Sequence, residues 1–400
     1  MADLNTSLSA FDFNSSFFDS SQSSSCSEDD SFISPPLQIK QQLSKFNTVL
    51  KIGLSNVQSI VPHFSEMTSL VTAGDFDIFA ITETWLKPAI SDNIISIPGY
   101  QLIRNDRTHK GSGGVAVYVK NNLKTMTIFA PSSNNDRIEQ LWLNIRIKTK
   151  SVMLGVVYRP PSLPISSLNA LDNALFNLAT NVDDVILLGD FNVNVLKPST
   201  PGSLFLQNMC NTHDLEQIID QPTYICNNAN SLLDLVMIRQ RNKILFIDQA
   251  IQPGISHHNF IYFAYDISVS QQADNYITTR NWKQLDCEVF EHAAANAPWH
   301  LVYNEANIND KVDAFNKIII SLLDTHVPYI TFKVKKPPSP WLNDVINTLM
   351  KKRDRAKATF NKTKNPVHWD KYKVLRNNVK SAVRKARFQK FDSCINIKKL

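Results

Sequence analysis

Two histidines stand side by side in Gly254-Ile255-Ser256-His257-His258-Asn259-Phe260, directly before an apolar run. Such a pair can be two metal ligands, a general base beside a bystander, or an ordinary loop, and its partners decide which. Asp234 opens the apolar stretch "DLVMI", where an unpaired carboxylate is costly, so a histidine suits it. Gly189 permits a tight turn after "DVILL", Asp190 follows as an acceptor, and Asn192 offers a donor and an acceptor two residues on. Asn56 ends the first apolar run, Glu83 follows "FAIT", and Tyr158 closes "LGVVY" before Pro160-Pro161. Taken singly, each of these is more often a cap, a turn residue or a half-buried aromatic than a ligand. As a set they offer Glu83 for a hard cation, Asp190 and Asn192 beside an activated water, and a His–Asp pair. That combination suits metal-assisted attack of water on a phosphate ester. Oxygen donors favour Mg²⁺, or Mn²⁺, over zinc, which takes Cys or several His. The chain carries no G-x-x-x-x-G-K-[ST], no H-E-x-x-H and no G-x-S-x-G.

Strand ends must position these groups, because open α/β architectures place their chemistry there. Short β-rich runs bounded by turn residues recur: "VLKIGL", "GGVAVYVK", "LWLNIRIK", "VMLGVVYRP", "DVILLGDF", "LLDLVMI" and "FIYFAYDI". Near-continuous apolar strands imply sheets covered on both faces. Several neighbours are too close for helical crossovers, so the sheets are mixed or antiparallel. Helix spacing occurs at about 59–73, 166–180 and 202–212. The expected fold is a two-sheet α/β sandwich flanked by helices over 46–268. A helical linker follows over 269–335, then a basic helical region over 336–400. Its first helix is expected to place Leu342, Val345, Ile346 and Leu349 on one face. The second does the same with Trp369, Tyr372, Leu375, Val379 and Val383.

The 400-residue chain has a net charge of +6 that is unevenly distributed. Residues 333–400 hold 20 Lys and Arg against 4 Asp and Glu, whereas the other 332 residues hold 22 against 32. An acidic body with a basic tail fits a polyanionic partner, DNA or, through the C-terminal helices, RNA; a solvated surface packed on a further domain is the plainer reading. Residues 1–39 have no Lys or Arg, twelve Ser and six acidic residues, and a disordered leader is expected over 1–45. The five scattered cysteines lack C-x-x-C spacing, and no membrane-length apolar run or secretory leader is evident. These features point to an intracellular protein, nuclear or cytoplasmic, that is neither secreted nor membrane-bound.

In chain order, Asn56, Glu83, Tyr158, Asp190-Phe191-Asn192, Ser231-x-x-Asp234 and Ser256-x-His258 resemble the endonuclease/exonuclease/phosphatase superfamily. Within it, the closest resemblance is to the apurinic-endonuclease-like domain of jockey-type non-LTR retrotransposon proteins. Arg104-x-Asp106-Arg107 before a glycine-rich turn, and "VYRPP", are similar to that group's forms. The resemblance spans about 48–268, and the later basic stretch looks like the connector that precedes a reverse transcriptase. No Tyr-x-Asp-Asp follows, so a nuclease with its connector but no polymerase is expected.

The resemblance implies a Mg²⁺-dependent DNA endonuclease that nicks one strand to leave a priming 3′ hydroxyl. Glu83 would bind the metal with support from Asn56, and Asp190 would orient or deprotonate water. Asn192 would hold the phosphate in line, Tyr158 would contact it, and His258, fixed by Asp234, would stabilise its developing charge. Arg107 and Ser231 would contact substrate. One departure stands out: the family pattern Ser-Asp-His is here Ser256-His257-His258, which puts a ring where a carboxylate near the metal is expected. Metal affinity should weaken, so impaired and near-normal activity are both compatible with His257. A decayed or domesticated nucleic-acid-binding protein is the alternative. A phosphatase of the same fold is a third reading, which the basic tail and "VYRPP" oppose.

Overall fold

The computed structural model describes residues 32–108, 112–131, 137–180, 182–226, 229–269, 276–333 and 341–397. In chain order the first elements are α1 (Pro35–Leu43), β1 (Val49–Asn56), α2 (Ile60–Gly74), β2 (Ile78–Thr82), β3 (Tyr100–Asn105) and β4 (Val115–Lys120). Next come β5 (Lys124–Phe129), β6 (Glu139–Ile147), β7 (Lys150–Tyr158), α3 (Asn169–Ala179), β8 (Asp184–Asp190) and α4 (Pro201–Thr212). Short strands β9 (Glu216–Gln217), β10 (Tyr224–Cys226) and β11 (Ala229–Ser231) precede β12 (Asp234–Ile238), β13 (Ile244–Ala250) and β14 (Phe260–Ser268). The chain continues through β15 (Tyr276–Arg280), α5 (Cys287–Ala295), α6 (His300–Tyr303), α7 (Ile308–His326) and β16 (Tyr329–Lys333). It closes with α8 (Asp344–Thr363) and α9 (Pro366–Ile397).

Two six-stranded sheets form the expected α/β sandwich, ordered β13-β14-β1-β2-β4-β3 and β5-β6-β7-β8-β12-β9. Each is mixed, with one parallel pair. β1–β2 and β7–β8 run parallel, and each pair is joined by a helical crossover, α2 and α3, as parallel pairing requires. Alternate residues Leu50, Ile52 and Leu54 of β1 enter the core between the sheets with Leu154, Val156 and Leu187. The outer face of the first sheet is closed by α1 and α2 over Phe79, Ile81, Phe260 and Tyr262.

Three expectations are corrected. Within the 1–45 leader, expected to be disordered, Pro35–Leu43 is helical; residues 1–31 lie outside the described residues. Proline at the helix start, with fully buried Ile39 and Leu43 one turn apart, docks this segment on the first sheet. Gln42 also donates to Asp248 at 2.7 Å. The 269–335 segment is helical between its ends, but those ends pair as an antiparallel ribbon, Tyr276 with Lys333 through Arg280 with Tyr329. β-branched and aromatic residues in both, "YITTR" and "YITFK", suit a ribbon. In α8, Val345 is 68% exposed and the inward face instead carries Ile346, Arg353, Ala356, Lys357 and Phe360.

Candidate active site

Strand register assembles most of the candidate residues before any side chain is considered. Across the second sheet, Glu139 pairs with Tyr158, Tyr158 with Asp190, and Asp190 with Asp234, giving one row over four strands. Across the first, Asn56 pairs with Thr82, which places Glu83 just beyond it. Gly189 is needed at the joint: its φ is +148°, and a Cβ there would lie 1.9 Å from the carbonyl oxygen of Val157. Among the described residues, five of the nine non-glycine residues with positive φ are Gln58, Ser59, Glu83, Trp85 and Asn192, all in turns that follow these strands. Such backbone is costly and persists where surrounding structure enforces it, often at functional sites.

A hydrogen-bonded chain links the two sheets. Asn56 Nδ2 donates to Glu83 Oε1 at 3.0 Å and to Asp190 Oδ2 at 2.9 Å. The other Asp190 oxygen accepts from the Asn192 backbone N–H at 3.0 Å. His258 Nδ1 donates to Asp234 Oδ2 at 2.7 Å, which leaves Nε2 on the far side of the ring. Asp190, Asp234 and His258 present ligand atoms within 4.8 Å of one another and are all buried. Burial, followed by the Asp234 charge, pushes Asp190 up to about 7, with His258 opposing. Burial pulls the His258 imidazolium down, but the Asp234 carboxylate and its hydrogen bond, helped by Asp190 and Glu83, prevail and raise it to about 9. Tyr158 borders the same group; burial and the Glu83 and Asp190 charges push its hydroxyl upward.

Other candidates are placed less directly. Asn192 turns one Nδ2 hydrogen to the Arg159 carbonyl at 2.9 Å. Arg107 is committed to a buried ion pair with Glu139, and its guanidinium carbon lies 5.8 Å from the Tyr158 ring centre. Glu139 also accepts from the Gly114 N–H, so Arg107 braces Tyr158 rather than standing open. Ser231 pairs its backbone with Tyr224, and among the described residues no hydrogen bond ties its side chain to Asp190 or His258. His257 faces away from the carboxylates. Its ring lies 5.6 Å from Trp369 and 6.5 Å from Tyr224, and its buried Nδ1 has no hydrogen-bond partner. Burial, with Lys357 and Arg376 facing it, lowers His257 to about 4, so the ring is neutral at neutral pH.

Sequence reasoning missed several supports and named Ser256 only through the resemblance. Gln252 Nε2 donates to the Asn56 carbonyl and to Ser256 Oγ, at 3.2 and 3.1 Å. Ser256 Oγ in turn donates to the Asn56 carbonyl at 2.6 Å, stitching the histidine loop to the end of β1. Thr223 Oγ1 accepts from the Asp234 N–H at 3.0 Å, and Trp85 Nε1 donates to Glu83 Oε2 at 3.2 Å. Only Glu139, an acid opening an apolar strand, left a signal comparable to that of Asp234.

A family model described as "Endonuclease/Exonuclease/phosphatase family" matches residues 53–295. Among solved structures, the chain is similar to the endonuclease domain of TRAS1, a telomere-specific non-LTR retrotransposon. The identity is 16%, over 55% of this chain and 99% of that one, with a TM-score of 0.45. It is also similar to an AP endonuclease from Archaeoglobus fulgidus, at 15% identity over 55% and 100% of the two chains and a TM-score of 0.45. The AP endonuclease LMAP from Leishmania major is 13% identical over 57% and 94%, with a TM-score of 0.46. No curated protein matches the chain.

Proposed function

The chain belongs to the endonuclease/exonuclease/phosphatase family of metal-dependent phosphodiesterases, and we propose that it is a DNA endonuclease of non-LTR retrotransposon type. The observation that carries this reading is the chain Glu83–Asn56–Asp190 facing the Asp234–His258 pair across the two sheets. The retroelement assignment rests on Arg104-x-Asp106-Arg107, on "VYRPP" and on the basic C-terminal stretch.

The residues fit a divalent cation. Hard carboxylate oxygens converge there, and Asp234 Oδ1 is buried without a hydrogen-bond partner. Burial first, and the Asp234 carboxylate second, raise Asp190, and a bound cation would favour its ionised form. Glu83, braced by Asn56 and Trp85, would hold Mg²⁺ or Mn²⁺ with Asp190; when bound, the ion supplies Lewis-acid stabilisation of charge on the phosphate. Asp190, held by Asn56 and the Asn192 N–H, takes the proton of the attacking water. His258, kept cationic by Asp234, donates from Nε2 to the phosphate oxygen on which charge develops. Asn192 uses its second amide hydrogen to hold the phosphate in line, and the Tyr158 hydroxyl contacts it. Because His257 faces Trp369, a ring in place of a carboxylate is compatible with this chemistry.

Supercoiled plasmid incubated with Mg²⁺ tests the reading. Wild type should nick, His258→Ala should lose about 10²–10⁴-fold in rate, and His257→Asp should add little. An inert wild type rescued by His257→Asp would mean that the carboxylate is required. Inertness of all three, with DNA binding retained, would leave a binding protein.

A further inference from the structure

Helices α8 and α9 are anchored on the body. Trp341 Nε1 and Arg387 Nη2 donate to Ser65 Oγ of α2 at 3.2 and 2.7 Å, and the Tyr372 hydroxyl donates to the Pro253 carbonyl at 2.6 Å. Arg353 pairs with Glu66 at 2.9 Å. The approach is so close at Gly254 that a Cβ would lie 1.7 Å from a Glu66 oxygen and 2.2 Å from Arg353. Beyond that anchor, the hairpin reaches β10 and the loop that carries the candidate histidine. Trp369 lies against His257, and Lys357, only 3% exposed, sits 4.8 Å over the Trp369 ring and 5.3 Å over Tyr372. Lys357 Nζ also donates to the Ile225 carbonyl at 3.4 Å. Ile225 in turn donates its N–H to the His257 carbonyl at 3.3 Å, and Asn259 donates to the Thr223 carbonyl at 2.6 Å. One residue from each grip, Tyr224 stands edge-on to the His258 ring at 4.9 Å.

We propose that Trp369 and Lys357 of the C-terminal hairpin are positioning residues for His258. They clamp the His257 ring and the Ile225 carbonyl, and so fix the Tyr224–His258 pair against Asp234. His257 is then the socket for Trp369, which accounts for a neutral ring at this place. The proposal rests on the phosphodiesterase reading above for its kinetic consequence, and its structural consequence is measurable without activity.

The test uses the full chain with Trp369→Ala, Trp369→Phe and Lys357→Met, assayed for Mg²⁺-dependent nicking and for hydrogen exchange at the Ile225 and Asn259 amides. A shift of about 1 Å in a catalytic group costs up to about 10²-fold. Trp369→Ala should therefore lower kcat about 10- to 100-fold with KM nearly unchanged, and speed exchange at both amides. Trp369→Phe, which keeps a ring on His257, should restore both readouts, and Lys357→Met should act in the same direction as Trp369→Ala. A wild-type kcat in Trp369→Ala would overturn the proposal, and a change in KM alone would overturn it and make the hairpin a DNA-holding element. If wild type cleaves no phosphodiester, the functional reading fails separately. The exchange data then decide: faster exchange restored by phenylalanine supports positioning, and unchanged exchange refutes it.

Discussion

Two of the places where the structure buries charge balance it in different ways. Where α8 meets α2, Arg353 is 3% exposed and divides its donors between Glu66 at 2.9 Å and Asp354 at 2.7 Å. At the end of the sandwich, Asp190, Asp234 and the half-buried Glu83 face one imidazole, and an oxygen of Asp234 is left unpartnered. The first arrangement satisfies a planar guanidinium with two carboxylates and serves as a fastener. The second retains uncompensated negative charge, at a cost that a purely structural site would shed. Surplus charge of one sign beside a positioned histidine marks the place where a cation and a phosphate are expected.

Substitutions at the two places should have opposite effects on stability. Asp190→Asn removes a crowded charge, so nicking should fall about 10²–10⁴-fold while Tm stays level or rises. A drop in Tm of several degrees would show that the carboxylate is not under strain and would erase the contrast. Next in size, Arg353→Met leaves the buried Asp354 and the half-buried Glu66 without their cation and should cost about 3–5 kcal/mol in denaturant unfolding. A loss below about 1 kcal/mol, the usual value of an exposed pair, would mean that the fastener is solvated.

The smallest effect concerns pH. His63 on α2 donates Nδ1–H to the Val57 and Ser59 carbonyls, and burial, together with Lys380 of α9, lowers its pKa from the ordinary 6.5. Its neutral form is therefore favoured by folding, and as pH falls the unfolded chain takes up the proton first. The contribution of His63 is complete above pH 6.5 and is lost as pH drops below that value. His63→Asn keeps a donor and does not titrate, so its Tm should fall less on acidification than that of wild type. Parallel curves for the two proteins would remove His63 from the account.

Legibility in the sequence followed the kind of signal each residue left. Asp190, Asp234 and Glu83 were visible because a carboxylate at the end of an apolar run is improbable without a partner. Gln252 and Thr223 act through hydrogen bonds to the Asn56 carbonyl, the Ser256 hydroxyl and the Leu233 and Asp234 N–H groups, and an isolated polar residue in a loop carries no periodicity that would reveal it. The inner strands of the sandwich were legible from uninterrupted apolar runs, whereas the edge strands β3, β5, β9 and β13 were not. The ribbon β15–β16 was not, because its halves are separated by three helices.

Composition and patterning by themselves determined the class of the fold, the strand ends at which the candidate residues stand, the helical tail and its basic charge. These are local properties, readable over ten or twenty residues. Tertiary structure alone decided which charges are buried and toward what each ring points. Sequence spacing makes Arg353 and Lys357 solvated members of a basic helix, yet Arg353 is neutralised by Glu66, 287 residues away, and Lys357 is enclosed by the rings of Trp369 and Tyr372. His257 and His258 are adjacent in sequence, and the pleat of the chain turns one to Asp234 and the other to Trp369. Burial of a charge depends on the partner that meets it, and that partner is supplied by the packing of distant segments.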